Sequence, residues 1–181
     1  MCLKLISIRP PWADAIACGA KRFETRSFGT SHRGALGIHA GAGDPLEILH
    51  CLQIPEFQKA LSPLVGTPLD LNAEPTDHGV QMSHVHRGAI VAVCRLEMDF
   101  PMWELHPRAY RHEERLGDFG HGRHAWMLTN VVRLEHPVPC HGQLGLFNCK
   151  ADLRRQIWDA LPQGVKVDPV IMASLVSPRA A

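Results

Sequence analysis

Residues 19 to 26 read GAKRFETR and set three cations and one carboxylate within eight residues. Lys21 follows Gly19, a natural helix stop, so it opens a strand at the rim of whatever that strand helps to enclose. A rim ammonium meets phosphate; a desolvated one has a lowered pKa and becomes a base or nucleophile. Glu24 and Arg26 are two residues apart on that strand and share a face. Arg22 is expected to join them, with Phe23 and Thr25 on the opposite face and Phe23 in the core. A carboxylate between two guanidiniums is held as the anion. As an anion, Glu24 accepts a hydrogen bond from the exocyclic amine of a base such as cytosine. The simpler alternative is a solvated strand carrying a structural ion pair. The joint spacing of Lys21, Glu24 and Arg26 favours a site.

Other side chains fit the same chemistry. Arg9 and Arg33 lie at strand ends and are candidate phosphate contacts, with Ser7 and Ser31 as hydroxyl donors. Trp12 sits at a helix start, where it packs into the core or offers a stacking platform to an unpaired base. Trp126 and His124 stand on a later strand that covers a bound base if it borders the cleft; barrel core is the simpler place for Trp126. His39 lies between apolar neighbours as a core or pocket-lining histidine. No GxSxG, P-loop or dinucleotide fingerprint occurs, so no cofactor is expected. Twelve histidines raise the question of metal. Neither His84-x-His86 nor His121-x-x-His124 comes with a thiolate pair at zinc-finger spacing, and no metal is expected. The six cysteines form no C-x-x-C pair and read as reduced, half-buried thiols.

These residues need elements to position them. Residues 2 to 8 read as a strand, stopped by Pro10 and Pro11. PWADAIACG forms a short helix with Trp12, Ala15 and Ile16 on one side, ended by Gly19. RFETRSF and GALGIHAG are strands. Residues 44 to 53 form a helix that Asp44 caps, with Pro45 at its first position and Glu47 completing a capping box. Pro55 breaks or restarts it. Residues 62 to 87 are expected to be a long surface loop. Residues 88 to 100 form a central strand. A single helical turn falls near 108 to 115, and a second strong strand covers 123 to 134. A turn and a short strand follow, then an amphipathic helix over 151 to 161. VIMASLV is left unassigned. Five or six strands with few helices between them fit an α+β, mainly β chain: a small barrel, mixed to antiparallel, flanked by short helices.

The chain has 181 residues, which suits a barrel over 1 to 150 with the 62 to 87 insertion, and a helix and tail over 151 to 181. No apolar run reaches the roughly 18 residues of a membrane span. MCLKLISIRPPW is interrupted too early for a secretory signal, so a soluble cytoplasmic protein is expected. The net charge of +1 hides an asymmetry. Residues 1 to 34 carry six Lys and Arg against two Asp and Glu, while the rest carry 13 against 16. A near-neutral chain thus presents a local anion-binding face.

Taken together, Pro11, Trp12, Gly19, Lys21, Glu24, Arg26, Arg33 and Gly34 give a pattern: strand, Pro-Trp helix start, G-x-K-x-x-E-x-R, then R-G and a strand. It resembles the opening of the ASCH family (activating signal cointegrator homology), a branch of the PUA-like superfamily. RGAIVAVCRLEMDF resembles that family's central strand, and HAWMLTNVVRLEHPVPCHGQLGLFN its closing strand. The resemblance covers about residues 3 to 148. With its Pro-Trp start and HRG, it is most similar to the coactivator-type branch. The resemblance implies a PUA-like barrel with a cleft beside the first helix, and binding of RNA, single-stranded nucleic acid or a nucleoside-like molecule. A bacterial branch hydrolyses acetylated cytidine with a Lys, a Thr and a Glu. Here Lys21 matches, Glu24 stands where that branch has Thr, Thr25 is one place on, and Glu113 or Glu114 corresponds to its helical Glu. The alternatives are therefore a hydrolase acting on a modified nucleoside or an RNA phosphodiester through Lys21 and a carboxylate, or a protein-interaction module built on the 62 to 87 loop.

Overall fold

The computed structural model describes residues 3–65 and 79–176. Strand β1 (Lys4–Ile8) leads through Pro10 and Pro11 into helix α1 (Trp12–Ala17). Residues Ala13 to Ala17 are all buried, because the helix is wedged between two apolar clusters. Its end is fixed by Gly19, which adopts φ +78°, a conformation that costs glycine little. The N–H groups of Ala20 and Lys21 then both donate to the Ala15 carbonyl, at 3.0 and 3.1 Å. This turn delivers Lys21 into β2 (Phe23–Arg26), which is shorter than the RFETRSF segment.

The remaining strands are β3 (Gly34–Ala40), β4 (Ala89–Pro101), β5 (His124–Pro139) and β6 (Leu146–Asn148). They form one six-stranded sheet in the order β2-β5-β4-β3-β1-β6. The β1–β3 pair is parallel and the others are antiparallel. The sheet curls into a half-barrel with short helices around it, the α+β, mainly β architecture expected from the sequence. β4 and β5 are long and their register shifts three times, which adds twist. β2 occupies an edge, where Glu113, Lys21 and Arg123 take up backbone groups of β2.

Inside the curl, Gly37 on β3 lets the parallel strand approach closely: a Cβ there would lie 2.5 Å from Leu5 Cδ2. Leu5 is fully buried and packs with Ile90 and Val93. Gly37→Ala therefore overpacks the core, and is expected to cost about 1–3 kcal/mol in chemical denaturation. An unchanged denaturation midpoint would show that Leu5 has room to move.

Helices α2 (Pro45–Leu52) and α3 (Pro55–Leu61) bury Ile48, Leu52, Phe57 and Leu61 in a cluster that also holds Ala15. Asp44 caps α2 by accepting from the Leu46 N–H at 2.9 Å. The expected capping box does not form: Glu47 turns instead to Arg9, at 3.2 Å. The described ends of the 62–87 segment are also not a free loop. Val80 and Val85 are buried against α2 and α3, and the Gln58 amide pairs with both backbone groups of Val80. The middle of that segment lies outside the described residues. The unassigned VIMASLV stretch is helix α5 (Pro169–Leu175), capped by Asp168. It and α4 (Ala151–Asp159) insert Ile157, Ile171 and Leu175 into the cluster that holds Leu3 and Leu5.

The described cysteines are free thiols. Burial pushes Cys51 up to about 11 and Cys94 higher, so both stay protonated and inert. No helix among the described residues is long and apolar enough to cross a membrane.

Candidate functional site

A cavity of about 620 Å³ opens beside α1. Ile8, Arg9 and Trp12 form one wall, and Lys21 with the segment from Glu24 to Phe28 forms the floor and a second wall. Arg115, Gly117, Asp118 and Arg123 close it from the connection between β4 and β5.

Lys21 is the unusual member, because a lysine at 1% exposure has surrendered its hydration. Its ammonium donates to the Phe23 carbonyl, lies 3.9 Å from Glu24 Oε2, and faces the Phe119 ring at 5.7 Å. Burial lowers its pKa, against the opposing pull of Glu24 and Glu113. Glu24 is 6% exposed, and its Oε1 accepts from Arg26 at 3.4 Å. Burial raises its pKa despite Lys21 and Arg26. The expectation that flanking cations hold Glu24 firmly as the anion is thus reversed in direction: loss of water outweighs the nearby charges. The two groups shift toward each other, which eases proton exchange between them.

The partner assigned to Glu24 is also corrected. Arg22 precedes β2, and its side chain points outward to Glu113 at 3.4 Å and to the Ala109 carbonyl at 3.4 Å. Lys21 takes the position beside Glu24 that was expected for Arg22. Phe23 is in the core as expected, but Thr25 is not turned wholly away: it lines the cavity, and its hydroxyl accepts from the Asp118 N–H at 3.2 Å.

Glu113 lies beneath the floor rather than in it. Its buried carboxylate accepts from the Arg22 N–H at 2.7 Å and the Phe23 N–H at 2.9 Å, clamping the entry of β2. It comes from the short 3₁₀ stretch Arg111–Leu116, near the single turn expected there. Glu114, one residue on, is exposed and outside the cavity.

The rim carries the remaining charge. Arg9 is largely exposed and reaches across the mouth to Glu47. Arg26 lies over the Phe28 ring at 5.3 Å. Arg123 donates to the Thr25 carbonyl at 3.1 Å and pairs with Asp118 at 3.3 Å. Five cations (Arg9, Lys21, Arg26, Arg115, Arg123) thus oppose three carboxylates (Glu24, Glu47, Asp118), and the lining is positive by two. Trp12 borders the cavity while packing edge-on against Phe57 at 5.5 Å, so it serves core and wall together.

Three expected members stand elsewhere. Arg33 folds back on its own loop, donating to the carbonyls of Thr30 and His32. His39 is buried between Ser7 Oγ at 3.1 Å and the Cys140 carbonyl at 2.9 Å, and burial lowers its pKa. Trp126 is fully buried opposite Glu24 on β5, with Phe28 packed edge-on above it. It supports the wall and cannot cover a base. Sequence reasoning missed Phe28, Arg115, Asp118 and Arg123. The signal for the last three is the RLGDFGHGR run, in which glycines alternate with charges between elements.

Gly117 sets the clearance around the ammonium. A Cβ there would lie 3.0 Å from Lys21 Nζ and 2.8 Å from the Phe119 ring. Gly117→Ala is therefore expected to push Lys21 off its seat and weaken ligand binding about tenfold, a shift a titration resolves. Unchanged affinity would mean that the ammonium position is immaterial.

A family model of the ASCH domain matches residues 6–137. No curated protein matches the chain in sequence. Among solved structures, the crystal structure of ASCH from Zymomonas mobilis superposes with a TM-score of 0.50 at 14% identity, covering 89% of this chain and 96% of that one. Two single-substitution variants of the Zymomonas mobilis protein align at 13% identity. Their TM-scores are 0.47 and 0.45, with coverage of 90% and 88% of this chain and 100% and 96% of theirs. At such identity the likeness is one of fold.

Proposed function

The chain belongs to the ASCH domain family, with its PUA-like fold, and from that premise we propose that the cavity binds one nucleoside unit of RNA or another single-stranded nucleic acid. One observation carries the reading: a buried ammonium and a buried carboxylate, 3.9 Å apart, meet at one cavity whose rim is rich in arginine. A cavity of about 620 Å³ suits a ligand of nucleoside size. Glu24 reads the amine edge of the base, Lys21 a carbonyl, and the arginines neutralise phosphate. We further propose that the chain belongs to the coactivator-type branch of the family, a reading supported by the resemblance of Pro11-Trp12 and His32-Arg33-Gly34 to that branch.

Phosphate contacts release counterions, so affinity must fall with salt. For about three contacts to a single strand, a rise from ~50 to ~200 mM salt is expected to weaken binding roughly tenfold or more. Fluorescence anisotropy with a labelled single-stranded RNA measures this. No binding at either salt, or binding indifferent to salt, would reject the reading.

A second reading, hydrolysis of an acylated base, is favoured by the opposed shifts of Lys21 and Glu24. A lysine with a lowered pKa has a larger free-amine fraction near neutrality, and a raised carboxyl donates a proton to a leaving group. Deacetylation of acetylated cytidine, followed by chromatography, tests it. An enzyme loses turnover by orders of magnitude on Lys21→Ala with its fold intact; a pure binder has no turnover to lose.

A further inference from the structure

Next to the cavity, on the side away from α1, lies an aromatic strip that the nucleoside reading leaves unused. Trp103 is 69% exposed, an unusual state for the largest apolar side chain, and Phe28 is 41% exposed. The two are joined by packed atoms. Phe28 borders the cavity, and Gly29 follows it so tightly against His124 that a Cβ at 29 would lie 2.6 Å from His124 Cε1. His124 in turn meets Trp103 edge-on, with ring centroids 6.5 Å apart.

The strip is held in place, not loosely displayed. Asp99, nearly buried, holds His124 Nδ1 at 3.0 Å and accepts from the Thr30 N–H at 2.6 Å, tying the Gly29 turn to β4. The N–H of Met102 donates to the Arg123 carbonyl at 2.9 Å, so the turn carrying Trp103 is anchored to a residue of the cavity wall. Arg26 lies over Phe28 at one end of the strip, and Arg123, whose carbonyl anchors the Trp103 turn, holds its guanidinium on the Thr25 carbonyl and Asp118 at the cavity wall. Aromatic faces in series beside guanidiniums suit successive bases and their phosphates, because every base has a stacking face. An apolar protein partner would gain nothing from those arginines.

We propose that Phe28, His124 and Trp103 form a stacking subsite for the nucleobase next to the one in the cavity, so that the ligand is a single strand of at least two nucleotides. This rests on the nucleoside reading above, and the experiment separates the two. Isothermal titration compares cytidine monophosphate, the dinucleotide CpC and an octacytidine RNA on the wild-type protein, Trp103→Ala and Trp103→Phe. Trp103 is so exposed that its removal leaves the fold intact, which a thermal melt verifies. The expected result is that CpC and the octamer bind the wild type about tenfold tighter than the monophosphate, that Trp103→Ala abolishes this gain, and that Trp103→Phe restores most of it. Affinity for the monophosphate is unchanged in all three. Equal affinity for all ligands, or a Trp103→Ala protein identical to wild type, overturns the subsite and leaves the cavity reading standing. Failure of the wild type to bind any of the three overturns both. A concentration-dependent dimer in sedimentation velocity that Trp103→Ala disperses assigns the strip to a second copy of this chain, and likewise overturns the proposal.

Discussion

Glu113→Ala is expected to lower the thermal midpoint by about 6–12 °C. The carboxylate accepts from two consecutive backbone N–H groups, those of Arg22 and Phe23, at a place closed to water. Alanine leaves both donors unpaired. Each buried unpaired group costs about 1–3 kcal/mol, and the lost bonds were charge-assisted, so a total near 3 kcal/mol follows. A chain of this size shifts by about 2–4 °C per kcal/mol. Glu113→Gln retains an acceptor oxygen without the charge and is expected to lose less than half as much. Circular dichroism melts distinguish these outcomes. A midpoint within about 2 °C of wild type for Glu113→Ala would mean that β2 is held by other contacts.

Lys21→Met is expected to weaken nucleic-acid binding by at least about thirtyfold, or about 2 kcal/mol, and to lower the thermal midpoint while the protein still folds. Methionine fills the same slot with an unbranched side chain and removes the ammonium. The fold loses the hydrogen bond to the Phe23 carbonyl and one partner of a buried ion pair, a loss of up to about 3–5 kcal/mol that protonation of Glu24 reduces. Glu24 keeps Arg26 and the more distant Arg123 as cations and is pushed further toward the protonated form. The ligand loses the group that opposed its carbonyl or phosphate. A Lys21→Met protein that folds and binds normally would remove Lys21 from the site.

The first 41 residues were legible because they are governed by local rules. Apolar alternation made β1, proline pairs and Gly19 bounded α1, and the strand period set Glu24 and Arg26 on one face. Arg22 was misread because strand alternation was extended beyond Phe23, where the chain is still leaving the Gly19 turn. The pKa direction of Glu24 was misread for a different reason: sequence shows which charges are near, but not how much water has been excluded. Glu113 could be named as a candidate, yet its role depends on a contact across about ninety residues, which no local pattern encodes. The same holds for α5, whose Ile171 and Leu175 join the core only by tertiary packing on β3, β4 and α4. Trp103 carried no motif; its meaning comes from being exposed and anchored to Arg123.

A nucleic-acid strand held as proposed, in the hollow between α1, β2 and the 115–123 connection, must perturb the residues that line it. Backbone amide chemical shifts recorded while a short single-stranded RNA is added test it most directly. The perturbed amides are expected to cluster at Lys21 to Phe28 and Gly117 to Asp118, with Arg33 and His39 unmoved. Perturbations centred on β3 around His39, or a spectrum that does not change, would contradict it.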